Sequence, residues 1–141
     1  MSSFAGSAVL DASAYLAYAN GERGADVVED ALAGGAAIAA PNWAEVCAKV
    51  AEVRDPREYV AELEADGLLG EALSVAPMVA EDAVIAGAIV AATRGAGLSL
   101  GDACCLAVAT RLGRTALTAD AAWGSLDLEP ISIDVSVAVI R

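Results

Sequence analysis

Four carboxylates stand where a short apolar run ends or where a helix is predicted to begin. Asp11 and Asp120 directly follow apolar runs, and Asp102 falls in the first turn of a predicted helix. Glu45 lies one turn into another helix, near its apolar side. Two carboxylates about 4 Å apart repel by about 1 kcal/mol in water and about 4 kcal/mol at an effective dielectric of 20. A divalent cation offsets this repulsion, and oxygen ligands without sulfur or imidazole select Mg²⁺ or Mn²⁺.

Helix capping is the alternative interpretation for three of these acids. Asp11 and Asp120 fit plain N-caps, and Asp102 completes a capping box with Ser99. Glu45 fits this alternative poorly, because an unpaired carboxylate is rare on the apolar side of a helix. At this point both interpretations stay open for the three capping acids.

The rest of the composition removes most other catalytic chemistry. The chain contains no histidine, which excludes a Ser-His-Asp triad, a Cys-His dyad and a histidine-ligated zinc site. Its three cysteines are fewer than the four that an all-thiolate zinc site takes, and they are interpreted as reduced thiols. Chemistry by carboxylates, hydroxyls and an oxygen-bound metal remains.

The elements that position these acids are predicted from alternating apolar runs and helical segments. With 141 residues, 57% of them hydrophobic and 20% charged, the chain is predicted to form a single domain over 1–141. The order β-α-α-β-α-α-β-α-α-β predicts an α/β fold with a short, mostly parallel sheet of four or five strands, covered by helices on both faces. Strands are predicted at 8–10, 36–40, 73–78, 115–118 and within 131–140. Ser13 and Asn42 are predicted to cap the helices that follow the first and second strands. Ligands of such sheets bind beyond the carboxyl ends of the strands, where the four acids stand.

No membrane segment is predicted. The longest stretch without a formal charge, Ala31–Ala44, has 14 residues, whereas a spanning helix needs about 20. The first ten residues lack the basic start of a secretory signal. We therefore expect a cytoplasmic protein.

Four ordered motifs carry a resemblance to a known family. They are VLDAS (9–13), PNWAEV (41–46), LSLGDACCLAVATRLG (98–113) and LTADAAW (117–123). In this order and over nearly the whole chain, the set resembles PIN-domain ribonucleases, and within that group it is similar to the VapC toxins of type II toxin–antitoxin systems. The resemblance implies a PIN-like fold.

The resemblance also implies roles for individual residues. The metal-binding and catalytic quartet would be Asp11, Glu45, Asp102 and Asp120. Within it, Asp11 and Asp102 would hold the Mg²⁺ or Mn²⁺ ion directly. The hydroxyls of Ser13 and Thr118 would position these acids or a water, and Trp123 would be structural.

The activity implied is metal-dependent hydrolysis of RNA by a toxic endoribonuclease, with a cognate VapB-type antitoxin and a homodimeric assembly. A net charge of −12 is unusual for a protein that binds RNA. Lys49, one turn after Glu45, and Arg23 are candidate RNA contacts, and an ordinary surface role for both stays open. The acidity suits a basic or apolar antitoxin segment better than it suits RNA.

Other nucleotide- and phosphate-handling families fit the sequence less well. A haloacid-dehalogenase phosphatase needs a second aspartate two residues after the first, where this chain has Ser13. A receiver domain needs a late lysine, and the only lysine is Lys49. No G-x-G-x-x-G motif follows the first predicted strand. The remaining alternative is a non-catalytic PIN-like module that binds RNA or protein.

Overall fold

Five short strands form one sheet in which every pair of neighbours is parallel. The computed structural model describes residues 7–141. The strands are β1 (Ala8–Leu10), β2 (Ala36–Ala39), β3 (Leu73–Ala76), β4 (Thr115–Thr118) and β5 (Val137–Val139). Their spatial order is β3-β2-β1-β4-β5, so β1 and β4 are neighbours at the centre. Their carboxyl ends meet at one edge of the sheet.

Six α-helices connect or flank the strands. They are α1 (Ala12–Ala19), α2 (Ala25–Ala33), α3 (Ala40–Val50), α4 (Pro56–Ala65), α5 (Ala80–Ala92) and α6 (Leu100–Leu112). Prolines stand in the first turns of α3 and α4, where the missing N–H costs no hydrogen bond. Gly113 ends α6 in the left-handed region at φ 65°, which favours glycine. Short 3-10 turns occupy Arg94–Ala96, Ala121–Ser125 and Glu129–Ile131.

Both faces of the sheet are buried. Successive strand residues point to opposite faces, so Leu10 packs with α1, α2 and α3 while Val9 packs with α5 and α6. Both side chains are fully buried, as expected for parallel strands covered by helices on each side. The predicted α/β class, with a short parallel sheet between two helical layers, is confirmed.

Several predicted element boundaries are wrong by a few residues. Ser13 was expected to cap α1, but Asp11 does so, because its Oδ1 accepts the Ala14 N–H at 2.7 Å. Asn42 was expected to cap α3, which instead begins two residues earlier. The third strand stops before Pro77, which has no N–H to donate.

The last strand lies within the predicted window of 131–140. Only Val137–Val139 pair with β4, and a 3-10 turn ends at Ile131, at the start of that window. Within residues 7–141, every helix is too short or too polar to cross a membrane. The prediction about a secretory signal concerns in part residues 1–6, which lie outside the described residues.

Candidate active site

Asp11 is a buried carboxylate at the carboxyl end of β1. Its residue is only 4% exposed. Oδ1 accepts hydrogen bonds from the Ala14 N–H and the Ser13 hydroxyl, both at 2.7 Å. Oδ2 accepts the hydroxyl of Thr118, at the end of β4, at 2.6 Å. Three donors from two elements therefore fix the orientation of this carboxylate.

The same two hydroxyls tie the end of β4 to the start of α1. Ser13 Oγ accepts the N–H of Ala119 at 2.9 Å, and Thr118 Oγ1 accepts the N–H of Asp120 at 3.0 Å. Asp120 is exposed, and its Oδ1 accepts the N–H of Ala122 at the start of the 3-10 turn. Thr118 thus contacts both Asp11 and the backbone of Asp120, so the structure brings these two predicted site residues together.

The electrostatic environment of Asp11 disfavours its negative charge. Burial raises the pKa of this carboxyl above its usual range, and the charge of Asp102 raises it further. The hydrogen bonds from Thr118, Ala14 and Ser13 act in the opposite direction without cancelling the effect of burial. A cation beside Asp11 would therefore stabilise its ionised form.

Glu45 is exposed, which corrects the prediction that it lies near the apolar side of α3. Asn42, one turn earlier, is 1% exposed, and its Nδ2 donates to Glu45 Oε1 at 2.9 Å. The same Nδ2 donates to the backbone carbonyl of Gly101 at 2.9 Å. This amide brings the Glu45 carboxylate to the first turn of α6. Asp102 lies in the same turn, directly after Gly101.

Asp102 forms the predicted capping box. Its Oδ2 accepts the N–H of Ser99 at 3.0 Å, and its own N–H donates to Ser99 Oγ at 3.1 Å. Asp11 and Asp120 also cap the helical turns that follow them. The capping interpretation is therefore correct for all three aspartates. It does not compete with a site role, because the caps are what place these side chains at one edge of the sheet.

The four acids lie around one edge without forming a closed cage. Among residues 7–141, no group of three or more His, Cys, Asp or Glu side chains is arranged to hold a metal ion. Mg²⁺ needs no such cage, since it is often bound by one or two carboxylates with water and substrate phosphates. Asn42 Oδ1 adds a buried oxygen that accepts no hydrogen bond from the described residues. The donor set, all oxygen, fits Mg²⁺ or Mn²⁺.

The two predicted RNA-contacting bases do not contact these acids. Lys49 Nζ pairs with Glu52 at 3.2 Å on the exposed surface of α3. Arg23 is exposed in the turn between α1 and α2. The structure leaves both on the surface.

Residues 8–127 match the PIN domain family. The chain belongs to the PIN domain family. No curated protein sequence matches it significantly.

Solved structures share the fold of this PIN domain. A toxin–antitoxin complex from Klebsiella pneumoniae aligns over 96% of this chain and 98% of its own, with a TM-score of 0.70 and 18% identity. DNA-bound VapBC from Salmonella typhimurium aligns over 96% and 98%, with a TM-score of 0.69 and 14% identity. FitAcB from Neisseria gonorrhoeae aligns over 94% and 97%, with a TM-score of 0.67 and 17% identity. The predicted resemblance is confirmed in family and fold.

Sequence reasoning missed two buried polar residues of this PIN domain. Asp82 is 1% exposed, and its two carboxylate oxygens share the single N–H of Arg111 Nε, at 3.0 and 3.1 Å, which joins α5 to α6. No local sequence pattern predicts this pairing, because Asp82 and Arg111 are 29 residues apart. Asn42 had a detectable signal, its i, i+3 spacing to Glu45, but was interpreted as a cap.

The three cysteines differ in burial, since Cys47 is only half-buried while the other two are buried. Cys104 and Cys105 are buried in the core between the sheet and α5, and all three thiols are free. Burial raises the pKa of Cys105 well above its ordinary value. A thiolate is therefore disfavoured there, which argues against a redox role.

Proposed function

We propose that this PIN domain is a VapC-like toxin, an endoribonuclease that depends on Mg²⁺ or Mn²⁺ and is neutralised by a cognate antitoxin. The observation that carries the proposal is Asp11, a carboxylate held by three donors, whose pKa is raised chiefly by burial and to a smaller extent by the charge of Asp102. Such an arrangement costs stability unless a cation compensates it. Asp11 and Asp102 would hold the ion directly, with Glu45 and Asp120 completing the quartet.

The division between buried and exposed acids supports a mechanism. When bound, the cation would neutralise the carboxylates and polarise the scissile phosphate. Ser13 and Thr118 hold Asp11 in one orientation. Glu45 and Asp120 are exposed, so either carboxylate has access to the attacking water and can orient it or accept its proton.

Three partners follow from the proposal. A VapB-type antitoxin is supported by the toxin–antitoxin complexes among the similar structures and by the net charge of −12, which suits a basic segment. A homodimer is supported by α5, whose outer face is apolar and includes Val84 at 72% exposure. RNA is the proposed substrate, and Lys49 and Arg23 remain candidate contacts. For Lys49, the ion pair with Glu52 is exposed and therefore weak, so RNA could replace it.

A non-catalytic RNA- or protein-binding module is the second candidate. It is favoured by the lack of a preformed three-ligand metal cluster among residues 7–141. The two candidates differ in one property, since only the nuclease needs a cation at the four acids.

A nuclease assay on a panel of short single-stranded RNAs separates them. The wild type is expected to cleave with Mg²⁺ or Mn²⁺ and to lose activity with EDTA. Asp102→Ala should abolish both cleavage and growth arrest on expression. Glu29→Gln, an exposed acid on α2, is the matched control and should behave as the wild type. Cleavage that persists in EDTA refutes the metal mechanism, and no cleavage under any condition favours the binding module.

A further inference from the structure

The amide of Asn42 has an unambiguous orientation. Both neighbours of its nitrogen, Glu45 Oε1 and the Gly101 carbonyl, are acceptors, so the NH₂ group must face them. The residue is 1% exposed, and it lies inside α3 rather than at its cap. One buried side chain therefore ties the Glu45 carboxylate and the first turn of α6 to the same nitrogen.

Gly101 provides the space that the Glu45 carboxylate occupies. A Cβ built on Gly101 would lie 2.8 Å from Glu45 Oε1 and 3.0 Å from Oε2. Real Cβ atoms essentially never approach so closely, so the carboxylate would have to move. Gly101 needs no left-handed conformation, and alanine is the better residue inside a helix. The glycine thus lowers helix stability while it permits this contact.

We propose that Asn42 and Gly101 are the positioning residues of Glu45. Asn42 fixes the carboxylate by a hydrogen bond, and Gly101 leaves room for it against α6. Together they hold Glu45 beside Asp102, the residue that follows Gly101. The inference rests on the proposed function, because it assumes that the placement of Glu45 serves the site.

A purely structural role explains these contacts less well. The Asn42 amide carries two N–H donors. One is satisfied by the Gly101 carbonyl, and the other is directed to a carboxylate that is exposed and that water could solvate. Gly101 has no backbone reason to be glycine. The hydrogen bond from Asn42 to Glu45 and the glycine at position 101 are both explained if the site requires the Glu45 carboxylate at this position.

Gly101→Ala is the most direct test, because it changes no polar group. A displacement of about 1 Å at a reacting group lowers the rate by up to about 100-fold. We expect kcat for RNA cleavage to fall about 10- to 100-fold with a small change in KM, while the melting temperature stays the same or rises. Gly95→Ala in the 3-10 turn Arg94–Ala96, where a Cβ meets nothing within 4 Å, is the matched control and should keep full activity.

A double-mutant cycle separates positioning from structure. If Asn42 and Gly101 act through Glu45, then neither Asn42→Ala nor Gly101→Ala lowers kcat further in a Glu45→Ala background. Full additivity of these effects, or wild-type kcat in Gly101→Ala, overturns the proposal.

A second measurement needs no catalysis and no metal. Thermal denaturation in EDTA of Asn42→Ala, Glu45→Ala and the double variant measures the coupling between these residues directly. A smaller loss of melting temperature for the double variant than the sum of the single losses is expected, and strict additivity overturns the inference. If the wild type cleaves no RNA, the nuclease proposal fails, and positioning is judged by this cycle alone.

Discussion

Asp11→Asn isolates the cost of burying a charged carboxylate in the candidate site. Burial raises the pKa of Asp11 in the folded chain above the ordinary value of 3.8. Between that value and the raised one, the folded state binds more protons than the unfolded state, so the free energy of unfolding falls as pH rises. Asparagine removes this titration, while its oxygen can still accept the Ala14 N–H that caps α1. The variant should therefore fold and lack this part of the pH dependence.

The size of the effect follows from proton linkage. One proton bound to the folded state and not to the unfolded state lowers stability by up to about 1.4 kcal/mol per pH unit. As pH rises from about 4 to the raised pKa, the free energy of unfolding of the wild type should fall relative to that of Asp11→Asn by up to this amount for each pH unit. Above the raised pKa, the plots of unfolding free energy against pH for the two proteins should run parallel. Urea unfolding in EDTA from pH 4 to 8 measures the difference, with Glu29→Gln expected to follow the wild type. Parallel curves for Asp11→Asn over the whole range would refute the electrostatic reasoning.

Adding Mg²⁺ turns the same pair of proteins into a test of metal binding. A ligand present at 100 times its Kd stabilises the folded state by about 2.7 kcal/mol. For 141 residues this raises the melting temperature by about 9 °C, at about 2.1 cal/mol/K of unfolding entropy per residue. The wild type should show a shift of this order and Asp11→Asn little or none. An equal shift in both proteins would mean that Mg²⁺ binds elsewhere.

Three further predictions concern the scaffold. Arg111→Leu should lower stability by about 3–5 kcal/mol in urea unfolding, because it leaves the Asp82 carboxylate buried without its cation. Asp82→Asn in the same chain should recover most of the loss, and a loss below about 1 kcal/mol would contradict this reasoning. Cys105 should resist thiol reagents in the native protein and react after unfolding, because burial raises its pKa; rapid native labelling would show that the core opens. Tyr15→Phe removes a 2.6 Å hydrogen bond to Tyr59 and should cost about 1 kcal/mol in thermal unfolding, while a neutral result would mean that water replaces it.

The fold was predictable because its signals are local. The first two strands are short apolar runs, and the run Ala8–Leu10 is buried on both sides as a parallel strand must be. Proline and glycine mark the helix ends at Pro56 and Gly113. From residue 131 onward the chain has no proline or glycine to mark element boundaries, and apolar and polar residues alternate at first. That pattern predicts a strand within 131–140 without fixing its ends, and only Val137–Val139 pair with β4.

The candidate site was predictable in its acids and not in their surroundings. Asp11 and Asp120 follow strands, so their place at the edge of the sheet comes from topology alone. The exposure of Glu45 was predicted wrongly, because helical periodicity does not reveal that its carboxylate rests against Gly101 on another helix. The contact between Asn42 and Gly101 spans 59 residues. Such pairings are set by how helices pack, which the local sequence does not encode.

The capping role of the aspartates explains how one edge can gather negative charge and still fold. Each cap supplies backbone N–H donors that favour the ionised side chain, and Asp11 adds two hydroxyls to its capped N–H. These donors do not cancel the cost of burial at Asp11, whose pKa remains raised. Asp11 Oδ1 already accepts two hydrogen bonds and Oδ2 only one, so Oδ2 keeps more capacity for a further ligand. A cation at that oxygen would relieve the remaining cost, so metal binding and folding stability should be coupled at this one side chain.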